Sequence, residues 1–130
     1  GGFVAQPTYS ARSRRLFEGQ IAHTLGVLFP TAGPHTPALG AALWGRAAAT
    51  LYDAGEPAGG EANMAKLLAS EASWAAADTC IQTHGGYGFT TDYDVERKFR
   101  ETRLYQVAPV STNLILSHVA TSELDLPRSF

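Results

Sequence analysis

Residues 61–83 constrain the fold more than any other part of the chain. Their sequence, "EANMAKLLASEASWAAADTCIQT", contains neither glycine nor proline. The larger apolar residues Leu67, Trp74 and Ile81 recur every seven positions, with alanines between them. This spacing keeps the bulky groups near one side of a helix, and the alanines allow neighbouring helices to approach closely. The stretch therefore predicts a long helix packed among other helices.

Glycines and prolines divide the rest of the chain into further helical segments. These additional helices are expected over residues 11–29 (capped by Ser10), about 36–55, 94–105 and about 109–121. Helices joined by short connections favour antiparallel packing. We therefore predict an all-α fold, an antiparallel bundle of four to five helices. It forms a single domain over residues 1–130, with residues 1–9 as a loose terminus and 122–130 as a tail.

The composition is typical of a globular domain. Of 130 residues, 45% are apolar and 17% are charged, so the chain is neither disordered nor fibrous. The net charge of −2 provides no cationic excess, which excludes nucleic acid as an expected partner. No apolar run approaches the ~20 residues that a helix needs to cross a bilayer. We expect no membrane partner either.

Cys80 is the only cysteine, so an internal disulfide is impossible. A reducing compartment, such as a bacterial cytoplasm, is therefore expected. The alanines around Cys80 favour a buried, inert thiol over a nucleophile. No histidine lies four residues from a carboxylate within residues 61–83, so we predict no metal site in the bundle.

A glycine turn, "HGGYGF", follows the long helix. Gly85, Gly86 and Gly88 lack Cβ atoms, which permits positive φ and a close approach of backbone N–H groups to an anionic or polar cofactor. The alternative is a plain C-cap at Gly85 followed by a turn, and the pattern alone favours it. His84 and Thr90 have the same two interpretations, a cofactor contact or a local cap.

The ordered series of residues around this turn resembles the C-terminal helical domain of the acyl-CoA dehydrogenases. In that family a helix ends in Gly-Gly-x-Gly, a short helix ends in an Arg-Asp-like pair, and a Tyr-Gln-Ile segment opens the last helix. The resemblance covers about residues 13–126 and is strongest over 61–106. The matching residues are Gly85, Gly86, Gly88, Arg100, Glu101, Tyr105, Gln106 and Val107.

The resemblance implies FAD-dependent α,β-dehydrogenation of acyl-CoA thioesters. In the family a carboxylate removes the α-proton and the flavin accepts the β-hydride. Family members usually have an N-terminal helical domain, a middle β domain and this C-terminal bundle. The bundle forms the tetramer core and contacts the flavin, in part that of the neighbouring subunit. The resemblance thus implies FAD as cofactor, an acyl-CoA substrate in the complete enzyme, and a homo- or hetero-oligomer.

Besides the three glycines, the resemblance assigns flavin contacts to Arg14, Ser111 and Asn113. Arg14 begins an Arg-x-x-Phe step that ends at Phe17, and an arginine there can pair with pyrophosphate. The alternative is a solvated arginine among charged neighbours. Ser111 and Asn113 replace a threonine and a glutamine of the family and retain hydrogen-bonding ability.

Two departures from the family pattern bear on catalysis. Pro109 occupies the position of the catalytic glutamate, and proline has no acid–base group. Leu25 replaces a flavin-contacting glutamine. We therefore name no catalytic residue and expect the chain to be inactive by itself. Either the base lies upstream of residue 1, as in some relatives, or the chain is a non-catalytic dimerisation or interaction module derived from the family.

Overall fold

The structure, a computed structural model, describes residues 2–16, 19–23 and 25–128. The α-helices in these ranges are α1 (Gly2–Ser13), α2 (Leu25–Ala32), α3 (His35–Asp53), α4 (Gly59–His84), α5 (Val95–Val107) and α6 (Thr112–His118). Between α1 and α2 lie two paired two-residue strands, β1 (Arg15–Leu16) and β2 (Gly19–Gln20), and a 3₁₀ turn, Ile21–His23. A second 3₁₀ turn, Gly85–Phe89, follows α4, and a π-helical turn, Val119–Glu123, follows α6. The prediction of an all-α helical bundle is confirmed.

Helix α4 is the centre of the bundle and contacts α1, α2, α3, α5 and α6. Its buried residues are mostly small: Ser70, Ala72, Ala76, Ala77, Thr79, Cys80 and His84. The predicted seam of larger residues, Leu67, Trp74 and Ile81, is only half-buried. Small side chains form the closest contacts because they let the backbones of several neighbouring helices approach α4 at once. The long helix predicted over residues 61–83 is confirmed. Its most deeply buried side chains are the alanines and other small residues, not the larger apolar residues.

Among the residues whose burial the structure describes, few large side chains are fully enclosed. Ile115, Val95, Thr102, Pro7 and Cys80 are the largest fully buried ones. By contrast, large apolar side chains on α5 and α6 are more than half exposed; they include Leu104, Tyr105, Val107, Leu114 and Leu116. The bundle therefore presents a broad apolar surface on these two helices.

The helix predicted over residues 36–55 is confirmed as α3. Gly55, just beyond it, has a φ of 76°, as is common after a helix C-terminus. Glu96 and Arg100 are four residues apart in α5, a spacing that favours an ion pair, and the pair is present with 2.9 Å between Arg100 Nε and Glu96 Oε2. Glu101 pairs with Arg97 instead. Arg97, Arg100 and Glu101 are exposed, whereas Glu96 is half-buried.

The single first helix predicted over residues 11–29 is wrong. Helix α1 ends at Ser13, the strand pair and the 3₁₀ turn follow, and α2 begins at Leu25. Ser10 is not an N-cap but an interior residue of α1, whose carbonyl accepts a hydrogen bond from Arg14 N at 3.0 Å. The helical spacing of apolar residues continues through this break. The helix nevertheless ends there, because local helix propensity is a weak signal that tertiary packing overrides.

Residues 2–9, expected to be a loose terminus, form the first part of α1. This helix packs against α4, and Pro7 and Ala11 are buried. The apolar contact with α4 explains why this terminal segment takes up a defined position.

The last helix begins later than predicted. Pro109 follows a cis peptide bond from Ala108 and precedes the helix, which starts at Thr112. Ser111 is the N-cap, and its Oγ accepts a hydrogen bond from Leu114 N at 3.3 Å. A serine at this position satisfies one of the free N–H groups of the first turn, which explains the starting point. Within the described ranges, no helix combines the length and the apolar character that crossing a membrane requires.

Candidate functional site

A cavity of about 610 Å³ lies between the end of α1 and the glycine turn after α4. This volume is within the usual range of pockets for small molecules and cofactors, ~300–1,000 Å³. Its lining combines polar, cationic and aromatic side chains from segments far apart in the sequence. They are Tyr9, Ser10, Ser13, Arg14, His84, Tyr87 and Tyr93.

Arg14 provides the cation of this cavity. Its backbone is held on both sides, since its N–H donates to Ser10 O at 3.0 Å and its carbonyl accepts from Ile21 N at 3.1 Å. The side chain is exposed. A guanidinium is permanently charged and presents a planar set of donors that suits phosphate and carboxylate groups. The fold thus places the predicted arginine in the lining of the same cavity as Tyr87, a residue of the glycine turn.

His84 is the last residue of α4 and is 8% exposed. Its Nδ1 lies 2.8 Å from the carbonyl oxygen of Cys80. A carbonyl can only accept, so Nδ1 carries the hydrogen and donates it. In the neutral imidazole, Nε2 is then an acceptor. The ring also packs 5.6 Å from that of Tyr93, which is 5.7 Å from that of Tyr87, and these rings form an aromatic wall.

The three glycines of the turn have three different environments. Gly85 caps α4 with a φ of 60°, and its N–H is directed at the carbonyls of Ile81 and Gln82. Gly88 is buried, and a Cβ there would lie 2.9 Å from the carbonyl oxygen of Ile81. A Cβ on Gly86 would meet nothing within 4 Å. The turn itself therefore requires glycine at positions 85 and 88, but not at 86.

Two neighbours of the turn have local structural roles. Thr90 Oγ1 donates to the carbonyl oxygen of Tyr87 at 3.0 Å, so its hydroxyl caps the turn. Cys80 is fully buried, and burial raises the pKa of its thiol from 9.0 to about 11, against a small opposing effect of Lys98. The predicted burial of the thiol is confirmed, and the raised pKa supports the prediction that it is not a nucleophile.

Ser111 and Asn113 lie at the start of α6 and are not among the residues that line the cavity. Ser111 Oγ accepts from Leu114 N, which leaves its own hydrogen to donate, and the side chain of Asn113 is exposed. Pro109 is exposed in the segment just before them. The residues predicted to contact a flavin therefore form two groups. In the first, Arg14 lines the cavity, whereas Gly85, Gly86 and Gly88 belong to the turn whose Tyr87 lines it and are not lining residues themselves. The second group is Ser111 with Asn113.

Sequence reasoning missed several residues of these two groups. Tyr9, Tyr87 and Tyr93 line the cavity. Tyr87 lies within the glycine turn and Tyr93 shortly after it, so these two could have been found from their positions. Lys66 donates to a backbone carbonyl just before Ser111, and no local pattern indicates that contact.

Some predicted features fall outside what the structure describes. Phe17, the end of the Arg-x-x-Phe step, and the side chain of Leu25 belong to this group. Among the described residues, no three or more His, Cys, Asp or Glu side chains are grouped as metal ligands would be.

Comparison with known proteins identifies relatives of almost the whole chain. The family model for the acyl-CoA dehydrogenase C-terminal domain matches residues 6–123. Acyl-CoA dehydrogenase FadE12 of Mycobacterium tuberculosis is 39% identical over 121 residues, which are 92% of this chain and 31% of FadE12. The 3-(aryl)acrylate reductase of Clostridium sporogenes is 36% identical over 97 residues, 75% of this chain and 26% of the reductase. The chain thus spans about a third or less of the length of these curated relatives.

The fold has a close counterpart among solved structures. A chain from the work on the electron transferring flavoprotein of Acidaminococcus fermentans superposes with a TM-score of 0.89 and 27% identity. The match covers 95% of this chain and 32% of that one. The helical arrangement, the match of the family model and the identity to FadE12 agree with each other. The chain belongs to the acyl-CoA dehydrogenase family, and it matches the family's C-terminal domain.

Proposed function

We propose that the chain is the cofactor-contacting C-terminal domain of an FAD-dependent oxidoreductase that dehydrogenates acyl-CoA thioesters. The observation that carries this proposal is the cavity in which Arg14 and the glycine turn meet, in a chain of this family. The similarity to an acyl-CoA dehydrogenase and to an arylacrylate reductase supports redox chemistry at a carbon–carbon bond.

The residues of the cavity fit FAD. The Arg14 guanidinium suits the pyrophosphate, and the rings of Tyr87 and Tyr93 offer apolar surface to an aromatic ring system. Gly86 leaves space for a close approach, since a Cβ there would have no neighbour within 4 Å. When bound, the flavin supplies the acceptor for the β-hydride. The residues of this chain bind and orient it.

The separation of the two groups supports an oligomer. Arg14 with the glycine turn, and Ser111 with Asn113, do not share the cavity. We propose that one group contacts the flavin of its own subunit and the other that of a neighbouring subunit. The exposed apolar side chains of α5 and α6 support this proposal, because apolar surface of this extent is typical of an interface.

Removal of the α-proton needs a base from outside this chain. Pro109, at the position that the family resemblance gives to the catalytic glutamate, can neither accept nor donate a proton. We propose that a carboxylate beyond residues 1–130 acts as the base. The 130-residue chain alone should then reduce no electron acceptor with any acyl-CoA, and measurable turnover would refute this proposal.

Cys80 bears on the compartment. As the only cysteine of the chain it forms no internal disulfide, and it is free and buried. A reducing compartment, such as a bacterial cytoplasm, stays our prediction.

Flavin retention tests the proposed cofactor site. The purified protein is incubated with FAD, passed through a desalting column and examined for the visible absorbance of flavin. Arg14→Met and Gly86→Val should lower retention while the helix content in circular dichroism stays unchanged. Arg15→Met is the matched control, because Arg15 is an exposed neighbour outside the cavity lining. Equal retention by Arg14→Met and Arg15→Met would argue against the site.

The second candidate is a non-catalytic helical module that pairs with itself or with a dehydrogenase subunit. Pro109 and the exposed apolar surface of α5 and α6 favour it. A chain that dimerises in gel filtration yet retains no flavin would support this candidate over the first. Retention of flavin by the dimer would exclude it.

A further inference from the structure

Lys66 lies in the first half of α4, and its side chain contacts backbone groups far along the sequence. Its Nζ donates to the carbonyl oxygen of Val110 at 2.9 Å and also to that of Tyr105. These carbonyls are 44 and 39 residues away in the sequence. Tyr105 lies in the last turn of α5, and Val110 lies in the α5–α6 connection, residues 108–111. One ammonium group therefore joins the end of α5 to that connection.

The end of α5 explains the first contact. The last four carbonyls of a helix have no donor within the helix. Ala108 N satisfies Leu104 O at 2.8 Å, and Tyr105 O comes next. The last turn of α5 has no basic residue of its own, although a cation there is favourable for the carbonyls and the helix dipole. Lys66 supplies this cation from α4.

The start of α6 explains the second contact. Val110 directly precedes Ser111, the N-cap of α6. Pro109, one residue earlier, has no N–H to donate. The side chains of Tyr105 and Val110 are 52% and 41% exposed, so burial of these side chains does not hold the segment. Its backbone carbonyls accept hydrogen bonds from Lys66 instead.

We propose that Lys66 is a positioning residue for the α5–α6 connection. By fixing Val110 relative to α4, it sets where α6 begins and where Ser111 and Asn113 stand. The consequence for the cofactor rests on the proposed function, because it requires these two residues to contact the flavin. The stabilisation of the α5–α6 connection by the hydrogen bonds of Lys66 does not depend on the proposed function.

Hydrogen exchange tests the hold directly. Lys66→Met keeps most of the side-chain volume but removes the ammonium. We expect the amides of Ala108 and Leu114 to exchange at least about tenfold faster, equivalent to ~1.4 kcal/mol of local stability. The amide of Ala54, bonded to Thr50 O in the distant α3 end, should be unaffected. The matched control is Lys98→Met, at the only other lysine of the chain.

Chemical rescue separates the ammonium from a merely structural effect. In Lys66→Cys, the thiolate displaces bromide from 2-bromoethylamine and forms a thioether side chain that ends in an ammonium at nearly lysine length. Cys80 should not react, because it is fully buried and its pKa is about 11. We expect slow exchange to return after alkylation. Unchanged exchange in Lys66→Met, or no recovery after alkylation, would overturn the proposal.

Flavin retention provides the second readout. Lys66→Met should retain less FAD than Lys98→Met, and alkylated Lys66→Cys should regain it. Faster exchange with unaltered retention would refute the positioning of Ser111 and Asn113. If the unsubstituted protein bound no flavin, the proposed function would fail, and the exchange rates alone would then decide whether Lys66 holds the connection.

Discussion

Substituting each glycine of the turn by alanine separates steric, conformational and functional requirements. In Gly88→Ala the new methyl would lie 2.9 Å from Ile81 O and 3.2 Å from Ile81 Cα. Both atoms belong to the backbone of α4, so neither can move without shifting the helix. In Gly86→Ala the methyl would meet nothing within 4 Å. The two changes add the same atoms two residues apart.

The expected changes in the free energy of unfolding differ in sign between the three substitutions. Overpacking against backbone costs about 1–3 kcal/mol, so Gly88→Ala should lower the free energy of unfolding by that amount. Gly85→Ala should cost a similar ~1–3 kcal/mol, because its φ of 60° strains any residue with a Cβ. Gly86→Ala should be neutral or stabilise by ~0.4–1 kcal/mol, since alanine reduces the freedom of the unfolded chain.

Urea unfolding of the three variants measures these differences. With a slope of about 1–3 kcal/mol per M, the midpoint of Gly88→Ala should fall by roughly 1 M relative to Gly86→Ala, with unchanged slope. Equal midpoints for the two would refute the packing argument. A loss of stability in Gly86→Ala would show that the turn needs this glycine structurally, and would weaken its assignment to cofactor contact.

Further predictions concern the thiol of Cys80, the buried side chain of Ile115 on α6 and the carboxylate of Asp94 at the start of α5. The pKa of Cys80 is raised from 9.0 to about 11 in the folded protein. The contribution of this thiol to the free energy of unfolding is therefore complete below pH 9 and declines above pH 9 by ~1.4 kcal/mol per pH unit. Cys80→Ala should remove this part of the loss of stability at alkaline pH, as measured by urea unfolding. Ile115→Ala should lower the free energy of unfolding by ~2–5 kcal/mol because the side chain is fully buried, whereas Leu116→Ala, 51% exposed, should change it by under ~1 kcal/mol; equal thermal melting shifts would contradict this. Hydrogen bonds from Arg97 lower the pKa of Asp94 below 3.8. This pair therefore stabilises the protein above pH 3.8, and the stabilisation is lost as the pH falls and Asp94 becomes protonated. Arg97→Gln should flatten the acid side of the profile of unfolding free energy against pH.

Much of the fold could be predicted from short stretches of sequence. The length of α4 follows from the absence of glycine and proline in residues 61–83, and its end follows from Gly85. The pairing of Glu96 with Arg100 follows from helical spacing alone. These features depend on hydrogen bonds and steric limits within a few residues, which any reader of the sequence can evaluate.

Other features were decided by packing between distant segments. The break after Ser13 and the contact of Lys66 with Val110 O have no local signal. The sequence by itself determined that the chain is a helical bundle with a glycine turn. Only the tertiary structure brought Arg14 and Tyr87 of that turn into the lining of one cavity and left Ser111 outside it, because such an arrangement depends on how whole helices pack rather than on residues next to each other.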